Sequence, residues 1–224
     1  LLDICMYIPV MQKRSEVLVK KYKLPEEAHD QLLELFGVDP KTNTIIEGGS
    51  IHEPRVNNLR NVRDFLQNFS VNATIGELSD IFDQVDDKVD FSAYIKPYPG
   101  VKELLEKLDA TGVKIIVFTH DSTNPATKHM KSAGIRKHFD LILGIDVDSP
   151  YQRKPAPDML QYACKVMDVD VTKSIVFGDD NRDMLLGKNA GNLGCIGVLT
   201  GKSTEKELVD ADVILSSVAE VEIK

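Results

Sequence analysis

Residues 174–183 read Ser174-Ile175-Val176-Phe177-Gly178-Asp179-Asp180-Asn181-Arg182-Asp183: an apolar, β-branched run, a glycine, then three carboxylates within one helical turn. Such a short run is the pattern of a strand buried in a parallel sheet. Working outward, strand and helix patterns alternate from Pro97 to the end of the chain. Val101 to Ala110 predicts a helix ended by Gly112, and Val113 to Phe118 a strand. Pro125 to Ala133 predicts a helix, Leu141 to Leu143 a strand, and Pro157 to Met167 a helix. After the 174–177 strand come a helix over Met184 to Ala190, a strand over Cys195 to Leu199, a helix over Glu205 to Val209 and a strand over Val213 to Leu215. This alternation predicts an α/β fold: a Rossmann-like, three-layer core with a parallel sheet and right-handed crossovers.

The segment before Pro97 differs. Glu16 to Tyr22, Pro25 to Phe36 and Arg55 to Phe69 carry helical patterning, and Thr74-Ile75-Gly76-Glu77 matches a capping box opening a fourth helix through Val85. Pro40 to Pro54, with Gly48-Gly49, reads as an exposed loop. The expected organisation is a core formed by residues 1–13 and 93–224, with a helical cap domain over 14–92 inserted after the first strand. Hinges are expected near residues 10–14 and 92–98.

Composition narrows the function classes. The net charge is −8 at pH 7, from 27 basic and 35 acidic residues, and no basic run suggests a nucleic-acid surface. No window has the roughly 18 apolar residues of a membrane helix. Leu1 to Met11 is apolar but lacks a basic leader, so it does not read as a secretory signal. Cys5, Cys164 and Cys195 are odd in number and far apart, which suits a reducing, cytoplasmic compartment.

In an open parallel sheet, ligands bind beyond the carboxyl ends of the strands. Asp3 follows Leu1-Leu2 there, Thr119, His120 and Asp121 follow the 113–118 strand, and Asp146, Asp148, Arg153 and Lys154 follow the 141–143 strand. Asp179, Asp180 and Asp183 follow the strand at 174–177. Clustered carboxylates repel unless a cation sits among them, and hard oxygen donors favour Mg²⁺. A lysine and a hydroxyl beside such a cation describe a phosphoryl-transfer site.

At these residues the sequence resembles the haloacid-dehalogenase-like superfamily, and its phosphoglycolate-phosphatase-like branch in particular. Arg153-Lys154-Pro155-Ala156-Pro157-Asp158 is similar to the family's lysine motif. Gly178-Asp179-Asp180-Asn181-Arg182-Asp183 is similar to its acidic motif, followed by Asn189-Ala190-Gly191. Phe118-Thr119 sits where the hydroxyl motif ends a strand, and Gly197 to Gly201 resembles the family's tail. The resemblance implies a Mg²⁺-dependent phosphomonoester hydrolase acting on a small phosphorylated metabolite. It implies Asp3 as the nucleophile of an aspartyl-phosphate, and Thr119 and Lys154 as ligands of the phosphoryl group. Asp3, the Cys5 carbonyl, Asp179 and Asp183 are the implied metal ligands, Asp183 directly or through water. His120, beside Thr119, is a substrate-binding candidate, against the plainer reading of a surface histidine.

The first motif departs from the family's D-x-D-G-T, reading Asp3-Ile4-Cys5-Met6-Tyr7. Cys5 stands where a second aspartate would handle protons. A catalytically impaired binding protein of this fold, or a dehalogenase or phosphonatase, therefore remain alternatives. The chain starts two residues before Asp3 without a Met, so the first strand is expected to be incomplete. Arg55, Arg60 and Arg63 read as a solvated helix face rather than a substrate contact.

Overall fold

The computed structural model describes residues 1–2, 7–46, 55–89, 94–146, 148–201 and 203–223. The chain divides into two compact units, one formed by Leu1–Asp3 with Pro97–Lys224 and the other by Ile4–Lys96.

The Ile4–Lys96 unit is mostly helical. Helix α1 (Ile8–Tyr22) starts eight residues before the patterned stretch at Glu16, with Pro in its first turn. Proline is tolerated there because its missing N–H has no intrahelical partner to lose. Ile8, Val10 and Met11 are buried by this extension, so residues 10–14 form part of a continuous helix and not a hinge. Helix α2 (Ala28–Phe36) ends at Gly37, whose φ of 83° lies in the left-handed region that glycine adopts without strain. Two-residue strands β1 (Val38–Asp39) and β2 (Thr44–Ile45) then pair antiparallel. The Asp39 carboxylate closes their turn by accepting from the Lys41 and Thr42 amides. The stretch expected to be loop thus opens with a hairpin, and its Gly48-Gly49 portion lies outside the described residues.

Helices α3 (Arg55–Gln67) and α4 (Ile75–Asp86) complete this unit, α4 capped as expected by Thr74 Oγ1, which accepts from the Glu77 amide at 3.1 Å. Leu18, Leu32, Phe36, Leu66, Leu78 and Phe82 are fully buried at its centre. The rings of Phe36 and Phe82 meet edge to face, 6.0 Å apart.

The other unit carries the α/β pattern. Helix α5 (Val101–Thr111) lies between Gly100 and Gly112 and leads to β3 (Ile116–Phe118). Helix α6 (Thr123–Ser132), β4 (Leu141–Leu143), α7 (Asp158–Met167), β5 (Ile175–Gly178), α8 (Asn181–Ala190), β6 (Gly194–Val198) and β7 (Val213–Leu215) follow. Strands β3 and β4 pair in parallel, as do β5, β6 and β7 in that order. Ahead of them Leu2 bridges antiparallel to Pro97, and the Tyr98 amide donates to Leu1 O at 3.1 Å. Met159, Leu160 and Ala163 of α7 join Met184 and Leu186 of α8 over Val176 and Cys195, forming the core.

Two expectations fail here. Strand β5 is not buried on both faces: Val176 is 6% exposed beneath α7 and α8, whereas Ile175 and Phe177 on the opposite face are 50% and 38% exposed. Residues 205–207 form a turn rather than a helix. The Glu207 carboxylate accepts from the Thr204 amide and hydroxyl, satisfying a capping motif that closes only one turn. Among the described residues no helix is long and apolar enough to cross a membrane.

Candidate active site

The chain termini of the parallel strands supply the site, and local hydrogen bonds fix each loop. Beyond β3, the Thr119 amide donates to Leu143 O at 2.9 Å, extending the β3–β4 ladder by one residue. Thr119 Oγ1 accepts from the Asp121 amide at 3.1 Å. The hydroxyl oxygen is thereby engaged as an acceptor while its own hydrogen is left to donate. Gly144 passes so close to residues 121–123 that a Cβ there would overlap backbone, which is why the position needs glycine. Asp146 then ties the two loops together: its carboxylate accepts from Thr123 N at 3.1 Å and Thr123 Oγ1 at 2.5 Å. Asp146 therefore belongs to the scaffold, and Asp148 is exposed.

The lysine loop is held from α8, where Asn189 Nδ2 donates to Pro155 O at 3.0 Å. Its product is a largely buried contact: Lys154 Nζ donates to Asp183 Oδ1 at 2.5 Å. The other oxygen of Asp183 accepts from the Asp180 amide at 3.3 Å, one arm of a capping box in which Asp180 caps α8. Asp180 Oδ1 accepts from Arg182 N, and its Oδ2 pairs with the Arg182 guanidinium. The capping reading of this acidic turn is thus realised, and the Asp183 carboxylate joins it to the Lys154 contact.

Burial pushes the Asp183 carboxyl above the ordinary carboxylate range, Lys154 opposes it, and Asp179 and Asp180 add to the rise. Glycines shape this pair closely. A Cβ on Gly178 would collide with Asp183, and one on Gly201 would collide with the Asp179 carboxylate. The loop bearing Gly201 is anchored by Asn181 Nδ2 donating to Asp210 Oδ2 at 2.8 Å and Asp210 N donating to Asn181 Oδ1 at 3.0 Å.

His120 is half-buried, not a surface histidine. Its Nε2 is buried with no hydrogen-bond partner among the described residues. Burial, then the charges of Lys154, Arg182 and Arg153, push its pKa down to about 4, against a smaller pull from Asp180.

The structure therefore brings Lys154, Asp179, Asp183 and His120 within interaction range, with Thr119 next to His120 in the chain. Asp3 and Cys5 lie outside the described residues. Among the described residues no group of three or more His, Cys, Asp or Glu side chains is arranged to hold a metal. Asp179 and Asp183 supply two hard carboxylates, the donor type that suits a divalent cation such as Mg²⁺. Sequence reasoning missed the supporting residues Gly201, Asn181 and Asp210. Of these, only the glycine-bearing tail from Gly197 to Gly201 carried a signal.

The candidate arginines on α3 are also reassigned. Arg55 is packed in the helical unit, donating to Asp86 Oδ2 at 2.9 Å, Asp83 Oδ1 at 2.8 Å and Ser79 O at 3.1 Å. Arg14 holds the same Asp86 through both oxygens, at 2.8 and 2.7 Å, and lies over the Phe82 ring. Arg63 pairs with its neighbour Asp64, and Arg60 is exposed.

Comparison with known proteins points the same way. A phosphoglycolate phosphatase of Neisseria meningitidis is 34% identical over 110 residues, 49% of this chain and 46% of that protein. The pyrophosphatase PpaX of Halalkalibacterium halodurans is 33% identical over 97 residues, covering 43% of this chain and 44% of that one. The alignments thus span about half the length of these curated relatives. A haloacid dehalogenase-like family protein from Streptococcus pneumoniae shares the fold, with a TM-score of 0.63 at 19% identity over 98% of this chain and 90% of that one. The family model for haloacid dehalogenase-like hydrolases matches residues 17–191. From the helical unit through the acidic motif, the chain belongs to the haloacid dehalogenase-like hydrolase family.

Proposed function

We propose that this chain is a Mg²⁺-dependent phosphomonoester hydrolase acting on a small phosphorylated metabolite through an aspartyl-phosphate on Asp3. The observation that carries the reading is the Lys154–Asp183 contact beside Asp179, at the edge where Thr119 ends β3. Relatives named for phosphoglycolate and pyrophosphate hydrolysis support the reaction class.

Each described residue has a role in this account. Lys154 neutralises charge on the phosphoryl group and opposes the burial that raises the Asp183 carboxyl. The Thr119 hydroxyl donates to a phosphoryl oxygen, its acceptor side being already occupied by the Asp121 amide. Asp179 and Asp183 would hold the cation. Both oxygens of Asp183 are engaged, by Lys154 and by the Asp180 amide, which favours binding through water over direct ligation. When bound, Mg²⁺ supplies charge neutralisation to the transferring group. The helical segment, expected over residues 14–92, serves as a cap that excludes water during turnover. The cysteine pattern suits a cytoplasmic location.

Cys5 favours a second reading, in which the site binds phosphate esters without turning them over. An acid-quench experiment with a radiolabelled phosphate ester separates the two. Labelled protein in wild type and none in Asp3→Asn supports the hydrolase. Binding without labelling in either supports the non-catalytic relative.

A further inference from the structure

We propose that Asp146 is a positioning residue of the phosphoryl site: from the loop after β4 it caps helix α6, and through that helix start it sets where the Thr119 hydroxyl stands. The inference rests on the phosphomonoester reading and adds to it a residue that acts through Thr119 without touching the substrate.

Residues 119–123 bridge β3 to α6, and the bridge is tied to the neighbouring loop along its length. At the near end the Thr119 amide donates to Leu143 O at 2.9 Å. In the middle Asp121 O accepts from Ile145 N at 2.9 Å, and the Asp121 amide donates to Thr119 Oγ1 at 3.1 Å. At the far end the Thr123 amide donates to Asp146 Oδ1 at 3.1 Å and the Thr123 hydroxyl to Asp146 Oδ2 at 2.5 Å. Thr123 Oγ1 in turn accepts from Gly144 N at 3.0 Å. The peptide that holds the Thr119 oxygen thus hangs between two anchors, and Asp146 is the outer one.

Helix α6 depends on that anchor. Ser122 occupies the N-cap with extended backbone, yet its side chain makes no capping hydrogen bond, and the first turn holds no acidic residue of its own. The first amides of a helix need an acceptor, and the helix dipole favours a carboxylate there. Asp146, 23 residues on in the chain, supplies both. Its own place is fixed apart from α6. The Asp146 amide donates to Ser149 Oγ at 2.9 Å, and the Tyr151 hydroxyl donates to Gly144 O at 2.9 Å while its ring meets Tyr162 of α7, 5.1 Å between centroids. The carboxylate is therefore a fixed peg on which the start of α6 is registered. Asp146 is exposed, so removing its carboxylate takes no packing from the core. A cap is worth roughly 0.5–2 kcal/mol, whereas a misplacement of about 1 Å near a reacting group costs on the order of 10²-fold in rate. Rate is thus the more sensitive readout.

A double-mutant cycle on phosphate release from an aryl phosphate with Mg²⁺ tests the proposal. Wild type, Asp146→Ala, Thr119→Ala and the double variant are compared, with Asp146→Asn beside them and Tm measured for each. The expected result is a kcat lower by about ten-fold or more in Asp146→Ala, with KM changed by less than about three-fold. Asp146→Asn, which keeps one acceptor oxygen, recovers part of the loss. In the Thr119→Ala background the same Asp146→Ala change costs less than about three-fold, because the hydroxyl it places is gone. Equal fold-losses in the two backgrounds, or a lower Tm with kcat unchanged, assign Asp146 to the helix cap alone and overturn the proposal while leaving the hydrolase reading intact. Should Asp146→Ala not fold, Thr123→Ala carries the cycle, since it breaks the same contact from the side of α6 and keeps the Thr123 amide bond. If wild type releases no phosphate, the hydrolase reading fails, and the cycle is read on calorimetric Kd values for orthophosphate with Mg²⁺. A loss of affinity in Asp146→Ala that vanishes in the Thr119→Ala background supports the proposal. An equal loss in both, or no binding of orthophosphate by wild type, overturns it.

Discussion

Lys154 Nζ stands 2.5 Å from Asp183 Oδ1, joining the loop after β4 to the first turn of α8. The aspartate is buried and held above the ordinary carboxylate value of 3.8, and the lysine is the cation that opposes this. A carboxyl raised in the folded state contributes stability that is full below its unfolded value and lost as pH rises through the folded one. Chelated wild-type protein should therefore lose stability as pH climbs above the ordinary carboxylate range. Lys154→Met leaves the ionised carboxylate without its partner and should steepen that loss by up to about 3 kcal/mol. Thermal unfolding across this pH range in a chelator checks it. Parallel curves for the two proteins would show that the contact carries no such linkage.

Gly201 touches Asp179 so closely that any side chain displaces the carboxylate. Gly201→Ala should weaken Mg²⁺ binding about ten-fold or more, equivalent to about 1.4 kcal/mol. The readout is the Mg²⁺ concentration needed for half of the maximal Tm shift, since a ligand of the folded state stabilises by mass action. An unchanged midpoint would mean that Asp179 is not a ligand.

Thr119 offers a hydroxyl hydrogen because its oxygen already accepts from the Asp121 amide. Loss of one such donor to a developing charge costs roughly 10²–10³ in kcat. Thr119→Ala should show that loss with phosphate esters, and Thr119→Ser should retain activity within about ten-fold.

The edge of the sheet beyond the strands was legible because each strand announces itself by a β-branched run, and the residues after it follow by position. Thr119, Lys154, Asp179 and Asp183 were placed at that edge in this way. The beginning of α1 was not, because Ile8, Val10 and Met11 extend an apolar stretch that has no helical periodicity when read with Leu1 and Leu2. The 38–45 hairpin escaped because two-residue strands carry no period at all. The exposure of Ile175 and Phe177 escaped because an apolar run does not say how many of its faces are covered. Most hidden were the partnerships across long separations. Arg14 lies 72 residues from Asp86, and Asn181 lies 29 from Asp210. No local pattern encodes such a pair.

The Arg14–Asp86–Arg55 cluster yields a stability prediction for the helical unit. Asp86 accepts from both guanidiniums while only 10% exposed. Asp86→Ala leaves Arg14 over Phe82 without its carboxylate, Arg55 keeping Asp83, and should cost about 3–5 kcal/mol in denaturant unfolding. Asp83→Ala, whose carboxylate is 61% exposed, should cost no more than about 1 kcal/mol. Equal costs would place the Asp86 pair at a solvated surface.

The central claim is that this edge hydrolyses phosphate monoesters with a bound divalent cation. Release of inorganic phosphate from an aryl phosphate tests it most directly, measured for wild type and Asp179→Ala in millimolar Mg²⁺ and again in excess chelator. The account predicts release by the wild type with Mg²⁺, its loss on chelation, and at least a hundred-fold lower rate in Asp179→Ala with Mg²⁺. Release that survives chelation, or an Asp179→Ala variant as active as wild type, would contradict it.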